Sequence, residues 1–102
     1  PADTFADGVA VRCPSPEALA IMRRGLSRIV AVDDDAIAEA VRLLFRATHN
    51  LAEGAGAAAL AALAAEKDAW RGRRAGVVLS GGNIDRDWYR AILAGDTPTV
   101  AG

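Results

Sequence analysis

The stretch Gly54 to Lys67 is almost entirely alanine and leucine, with Gly54 and Gly56 at its start. A helix of that composition is apolar on nearly every face, and such a helix is usually buried on several sides. Something has to cover it. A chain of 102 residues has room for one small domain or for one piece of a larger one. The other elements of this chain are few, and they would struggle to do the covering. The first expectation is therefore that partner structure completes the fold.

The remaining elements can be read in order. Residues 1–14 are irregular, with Val9, Val11 and Pro14 suggesting a short extended stretch after Asp7-Gly8. A helix is predicted over 15–25: Ser15 is an N-cap, Pro16 fits the first helical position, and Glu17 favours the positive end. Residues 28–32 are short and rich in branched side chains and read as a strand. A second helix is predicted over 33–49, where Ile37, Ala40, Val41, Leu44, Phe45 and Thr48 recur at three- and four-residue spacing. The alanine-rich helix covers 54–67. Residues 75–79 read as a buried parallel strand, and a last helix, capped by Asp85, covers 84–94 with Ile84, Trp88, Ile92 and Leu93 on its apolar face. Helices alternating with strands predict an α/β fold, a partial open parallel sheet with flanking helices. Two strands alone make an incomplete sheet, so completion by self-association is expected.

Composition removes several function classes. The formal net charge is −1, which points to neither nucleic acid nor a membrane surface. No apolar run approaches the length needed to span a bilayer, and the first residues have neither the basic region nor the apolar core of a secretory signal. Cys13 is the only cysteine, so neither an intrachain disulfide nor a cysteine-based zinc site is expected, and a cytoplasmic, reducing setting fits. Asp33-Asp34-Asp35 could suggest a metal site. Consecutive side chains point different ways, however, and the pattern is better read as a helix cap with two dipole partners. His49, the only histidine, has no obvious acid or nucleophile beside it and is read as structural. Lys67 is the only lysine among twelve basic residues.

Three segments could carry chemistry. Ser80-Gly81-Gly82-Asn83 follows the second predicted strand and precedes a helix, the place where ligands sit in open α/β sheets. Glycines there let a backbone approach a ligand closely. The pattern is equally that of a tight turn. It is not a phosphate-binding Walker loop, and Val78 two residues before Ser80 rules out a nucleophile elbow. Glu53-Gly54-Ala55-Gly56-Ala57 places a carboxylate at the start of the apolar helix, where capping is the simpler role and a pocket-facing acid the alternative. Thr4 to Val11, with Asp7-Gly8, shows no chemistry by composition alone.

Taken together, Thr4-Phe5-Ala6-Asp7-Gly8-Val9-Ala10-Val11, Arg28-Ile29-Val30 with Asp34-Asp35, Glu53-Gly54-Ala55-Gly56-Ala57 and Val77-Val78-Leu79-Ser80-Gly81-Gly82-Asn83-Ile84-Asp85 resemble the threonine dehydratase, serine dehydratase and serine racemase family of fold-type II pyridoxal-phosphate (PLP) enzymes. The likeness covers nearly the whole chain, in order and at matching spacings, and corresponds to the C-terminal part of the catalytic domain. It implies that Ser80 hydrogen-bonds the pyridine nitrogen of PLP, that Gly81, Gly82 and Asn83 shape the loop at the ring edge, that Glu53 lies on the same side, and that Gly8 with Asp7 passes close to the pocket. A neutral hydroxyl leaves the pyridine nitrogen unprotonated and the ring a weaker electron sink. That suits elimination of a β-hydroxyl.

The implied reaction is dehydration of L-threonine or L-serine to a 2-oxo acid and ammonia. The implied partners are an amino-acid substrate and either the missing N-terminal part of the domain or another copy of the chain. The cofactor-bearing lysine, the glycine-rich phosphate loop and the carboxylates of the divalent-cation site lie upstream in that family. Lys67, between Glu66 and Asp68 at a helix end, reads as a solvated charge and not as a substitute. No catalytic residue and no metal ligand is therefore expected in this chain, and PLP is expected in the intact enzyme but not here. A racemase fragment and a non-catalytic remnant remain the alternatives.

Overall fold

A computed structural model describes residues 3–100. Its elements are a 3-10 turn (Asp7–Val9) and four α-helices: α1 (Pro16–Gly25), α2 (Asp34–Thr48), α3 (Gly54–Ala65) and α4 (Arg86–Leu93). The first two residues of the expected irregular stretch lie outside the described range.

Local signals account for the helix starts. Ser15 caps α1 through the Ala18 N–H at 3.5 Å, with Pro16 in the first turn. Asp33 caps α2 through the Ala36 N–H at 2.8 Å. Asp85 caps α4 by accepting from the N–H groups of Asp87 and Trp88. The other two members of the aspartate run hold distant chain: Asp34 accepts the Thr4 hydroxyl and Asp35 accepts that of Thr97 at 2.6 Å. No metal-binding group of acidic, histidine or cysteine side chains occurs among the described residues. His49 ends α2 in the left-handed region, φ 58°, with its N–H on the Phe45 carbonyl and its ring tilted against the Phe45 ring.

α2 packs along α3, α4 packs on α2, and the 3-10 turn packs on α3. The core consists of Phe5 and Ala6 before the turn, Ile37, Ala38, Ala40 and Val41 from α2, Ala52, Ala57 and Ala61 from or beside α3, and Ile92 from α4. The alanines let α2 and α3 approach closely. Trp88 meets the Phe5 ring edge-on at 6.3 Å, and Tyr89 meets Phe45 the same way at 6.2 Å. The Tyr89 hydroxyl is buried without a hydrogen-bond partner, and burial raises its pKa above the ordinary phenol value. Arg42 ties α2 to the end of α4 by donating to the Ile92 and Asp96 carbonyls while pairing with Glu39.

The structure corrects the expected fold class. It is all-helical among the described residues, with no strand and no sheet, and not the predicted α/β unit with a partial parallel sheet. Residues 28–32 and 75–79 are non-helical, but neither segment makes a backbone hydrogen bond to another segment. A strand is defined by its ladder, and branched side chains only make a segment ready for one. Residues 75–79 are exposed, with Val78 retaining 76% of its accessible surface, and in 28–32 Ile29 retains 78% while Val32 is partly buried against the core. The alanine-rich helix stops at Ala65, two residues short of the expectation, and continues as turns through Arg73 that include Gly72 at φ 77°. α1 packs against no other element among the described residues and buries no residue. Arg28 reaches α3 through a two-pronged ion pair with Glu66, whose hydrogen bonds hold the Glu66 carboxyl below its ordinary range.

Candidate functional site

The N-terminal end of α3 is where three distant segments meet. The Glu53 N–H, just before the helix, donates to the Gly81 carbonyl at 3.1 Å. That bond seats the 80–83 loop on the start of α3. The seat is tight because its members lack side chains. A Cβ on Gly56 would stand 2.3 Å from the Gly81 oxygen, and one on Gly82 would stand 2.5 Å from the Leu51 oxygen. A Cβ on Gly81 would stand 2.7 Å from the Glu53 carboxylate. From the other side, Gly8 in the 3-10 turn faces Ala55 and Glu53, and Gly54 is pressed against Ala6 and Phe5. At Gly54, Gly56 and Gly82 glycine answers close backbone approach rather than unusual dihedral angles, whereas at Gly8 and Gly81 the added atom would meet the side chains of Ala55 and Glu53.

The structure thus brings together five of the six residues singled out in the sequence: Gly8, Glu53, Gly81 and Gly82 by contact, and Asn83 as a neighbour of Glu53 on one cavity wall. The cavity holds about 260 Å³ and is bounded by Phe5, Asp7, Glu53, Asn83, Asp85 and Trp88 among others. Ser80, the sixth, is exposed, one residue before the seated glycine. Glu53 is half-buried and makes no side-chain cap to its own helix, so capping is not what its carboxylate does here. It stands between Gly8 and Gly81.

Sequence reasoning missed Leu51 and Trp88 as parts of this end, and it held Gly56 and Phe5 only as members of candidate segments, without a role of their own. Gly56 carried a signal: two glycines one residue apart open an otherwise strong helix former, where glycine weakens the helix. Trp88 carried none beyond helical spacing.

Lys67 lies beyond the opposite end of α3. That helix has 12 residues and is about 18 Å long at 1.5 Å per residue, farther than a lysine side chain reaches. An exposed hydroxyl, a half-buried carboxylate and a side-chain-free loop can orient and bind a polar ring edge. They offer no amine for a covalent step.

A family profile described as pyridoxal-phosphate dependent enzyme matches residues 1–81. The chain is 38% identical over 90 residues to an L-threonine ammonia-lyase of Thermotoga maritima, covering 88% of this chain and 22% of that protein. It is 42% identical over 82 residues to an L-threonine ammonia-lyase of Geobacter sulfurreducens, covering 80% of this chain and 20% of that protein. It is 32% identical over 92 residues to an L-threo-3-hydroxyaspartate ammonia-lyase of a Pseudomonas species, covering 90% of this chain and 29% of that protein. The chain therefore spans less than a third of the length of these relatives.

Proposed function

The chain belongs to the pyridoxal-phosphate-dependent enzyme family, within its threonine dehydratase group, and from that premise we propose that it is one wall of the cofactor site of an ammonia-lyase acting on 3-hydroxy amino acids, inactive when isolated. The reaction is loss of water from L-threonine or L-serine to an enamine, which tautomerises to an imine and takes up water to give a 2-oxo acid and ammonia. The observation that carries the reading is the seated loop: Ser80 presents an exposed hydroxyl immediately before Gly81 and Gly82, whose backbones are held against Leu51, Glu53 and Gly56.

That arrangement suits the edge of a pyridine ring. Ser80 would hydrogen-bond the ring nitrogen, and the bare backbone of Gly81 and Gly82 would admit the ring edge without a side-chain clash. Asn83 and Glu53 would line the same side, and the Asp7-Gly8 turn would close it. When bound, PLP supplies the electron-withdrawing ring that labilises the substrate. Ser80, being neutral, keeps that withdrawal modest. The substrate class is supported by the relatives, whose names specify threonine and threo-3-hydroxyaspartate, two amino acids with a hydroxyl on the β-carbon.

The chain's partner in this reading is the remainder of a catalytic domain, in the same polypeptide or in another copy. Isolated inactivity follows from the place of Lys67, a helix length from Ser80 to Asn83. The test is a chimera in which residues of this chain replace the matching segment of the Thermotoga maritima enzyme. Restored release of 2-oxo acid from threonine supports the reading. A folded, PLP-loaded chimera without that activity overturns it, and D-amino-acid formation in its place would assign a racemase. The isolated chain, supplied with PLP and threonine, should release no 2-oxo acid.

A further inference from the structure

We infer that Gly56 is a positioning residue: by lacking a side chain it lets the Gly81 carbonyl rest on the first turn of α3, which fixes where the Ser80 hydroxyl stands. Only the identity of what Ser80 meets rests on the function proposed above. The seat itself is a property of this chain.

Three observations converge on it. The added Cβ at Gly56 would be 2.3 Å from the Gly81 oxygen, 3.3 Å from its carbonyl carbon and 3.1 Å from its nitrogen. All three are backbone atoms, so no side chain can swing away to make room. The Gly81 carbonyl is the acceptor for the Glu53 N–H at 3.1 Å, so a displaced carbonyl also loses the one backbone bond that seats the loop. Finally, the Glu53 carboxylate fills the space on the far side, 2.7 Å from a Cβ at Gly81 and 3.6 Å from one at Gly8. The loop is held between the helix start and that carboxylate, and the 3-10 turn leans on the same group.

The sign of the effect separates this role from an ordinary helix position. Glycine inside a helix weakens it relative to alanine. A purely structural Gly56→Ala would therefore leave α3 as stable as before or more so, with the loop unchanged. A positioning role predicts a split: the α3 interior amides stay protected while the residue-53 amide, which donates the bond to the Gly81 carbonyl, exchanges faster by about tenfold, a local opening of the loop. Gly25→Ala is the control, since a Cβ there meets nothing within 4 Å. It should leave the loop unchanged.

The experiment is hydrogen exchange of the 102-residue chain, residue by residue, for the wild type, Gly56→Ala, Gly25→Ala, Glu53→Gln and Glu53→Ala. The seat predicts loop opening in Gly56→Ala and Glu53→Ala and retention in Glu53→Gln, which keeps the shape of the wedge. Unchanged exchange of the residue-53 amide in Gly56→Ala overturns the inference. If Gly56→Ala does not fold, the Glu53 pair decides: equal exchange of the residue-53 amide in Glu53→Ala and Glu53→Gln overturns it. The consequence for chemistry is read in the chimera, where Gly56→Ala should lower kcat by about a hundredfold with the KM for threonine little changed. An unchanged kcat there overturns the link to Ser80. An inactive parent chimera overturns the proposed function and leaves the exchange result to decide the seat.

Discussion

Phe5 and Ile29 are large apolar residues in the same chain, and they mark two different regions. Phe5 keeps 2% of its surface exposed and sits among α2, α3 and α4, whereas Ile29 keeps 78%. The first region is a body that supplies its own cover: alanine faces between α2 and α3, an edge-on aromatic contact and an arginine tying two helices. The second runs from Arg12 through Ala31 and returns at residues 74–80; its apolar side chains are mostly exposed, and outside α1 and its caps its backbone makes no hydrogen bond to another segment. Apolar composition is shared by both regions. What differs is whether the chain brings a second surface to meet the first.

That contrast can be broken most directly by cutting side chains in each region. Phe5→Ala or Ile92→Ala should cost about 3 kcal/mol, the usual loss for emptying a core site of that size. Ile29→Ala should stay within about 0.5 kcal/mol. Urea midpoints measure both, and an equal cost at Ile29 would mean the outer strip is packed after all.

Next in size is Arg42→Ala, which removes donors to two carbonyls at the end of α4 from a side chain only 18% exposed. The expected loss is about 1.5 kcal/mol. Arg71→Ala, in a pair with both partners about four-fifths exposed, should change almost nothing.

The caps sharpen the comparison further. Asp33→Ala should cost about 1 kcal/mol because α2 is part of the body. Ser15→Ala removes a cap of the same kind, yet α1 touches no other element. Global stability should therefore not move, while α1 frays in its own amide exchange. A shift in the global midpoint from Ser15→Ala would show that α1 belongs to the cooperative unit.

The smallest effect concerns the Arg28–Glu66 tether. Its hydrogen bonds from Arg28 lower the Glu66 pKa from its ordinary value of 4.5. The tether therefore contributes fully above that value and is lost as the pH falls through the lower folded one. Trp70, beside Glu66, should report the loss as a fluorescence change in a Trp88→Phe background. In Glu66→Gln the change should be absent, and its persistence would assign the titration to another group.

How much was legible in the sequence follows the same boundary. Helix starts were readable because a cap acts on residues two or three positions away: Ser15, Asp33 and Asp85 each name their helix. The periodicity of Ile37, Ala40 and Val41 likewise named the buried face of α2. The sheet was misread because pairing is a property of two segments, and Arg28–Val32 and Ala75–Leu79 carry only one side of it. Ala6, Ala52 and Ala57 are fully buried, but an alanine is tolerated almost anywhere, so its burial leaves no mark in the sequence. At the candidate site the 80–83 loop was read as a string and Gly56 only as a member of the Glu53 segment, while Leu51 was not read as part of the site; that Gly56 and Leu51 seat the loop was not visible. Their contribution is distance between backbones, and composition does not encode that.

The Cα envelope measures 40 × 39 × 19 Å. A body that thin is little more than two helices deep, and no point in it lies far from bulk water. Eliminations through carbon acids gain from a dry enclosure, where charges act strongly and side reactions are kept out. A plate can present a reactive surface, but it cannot close over one. In the function proposed above, what shuts the solvent out above Ser80 arrives as a second wall.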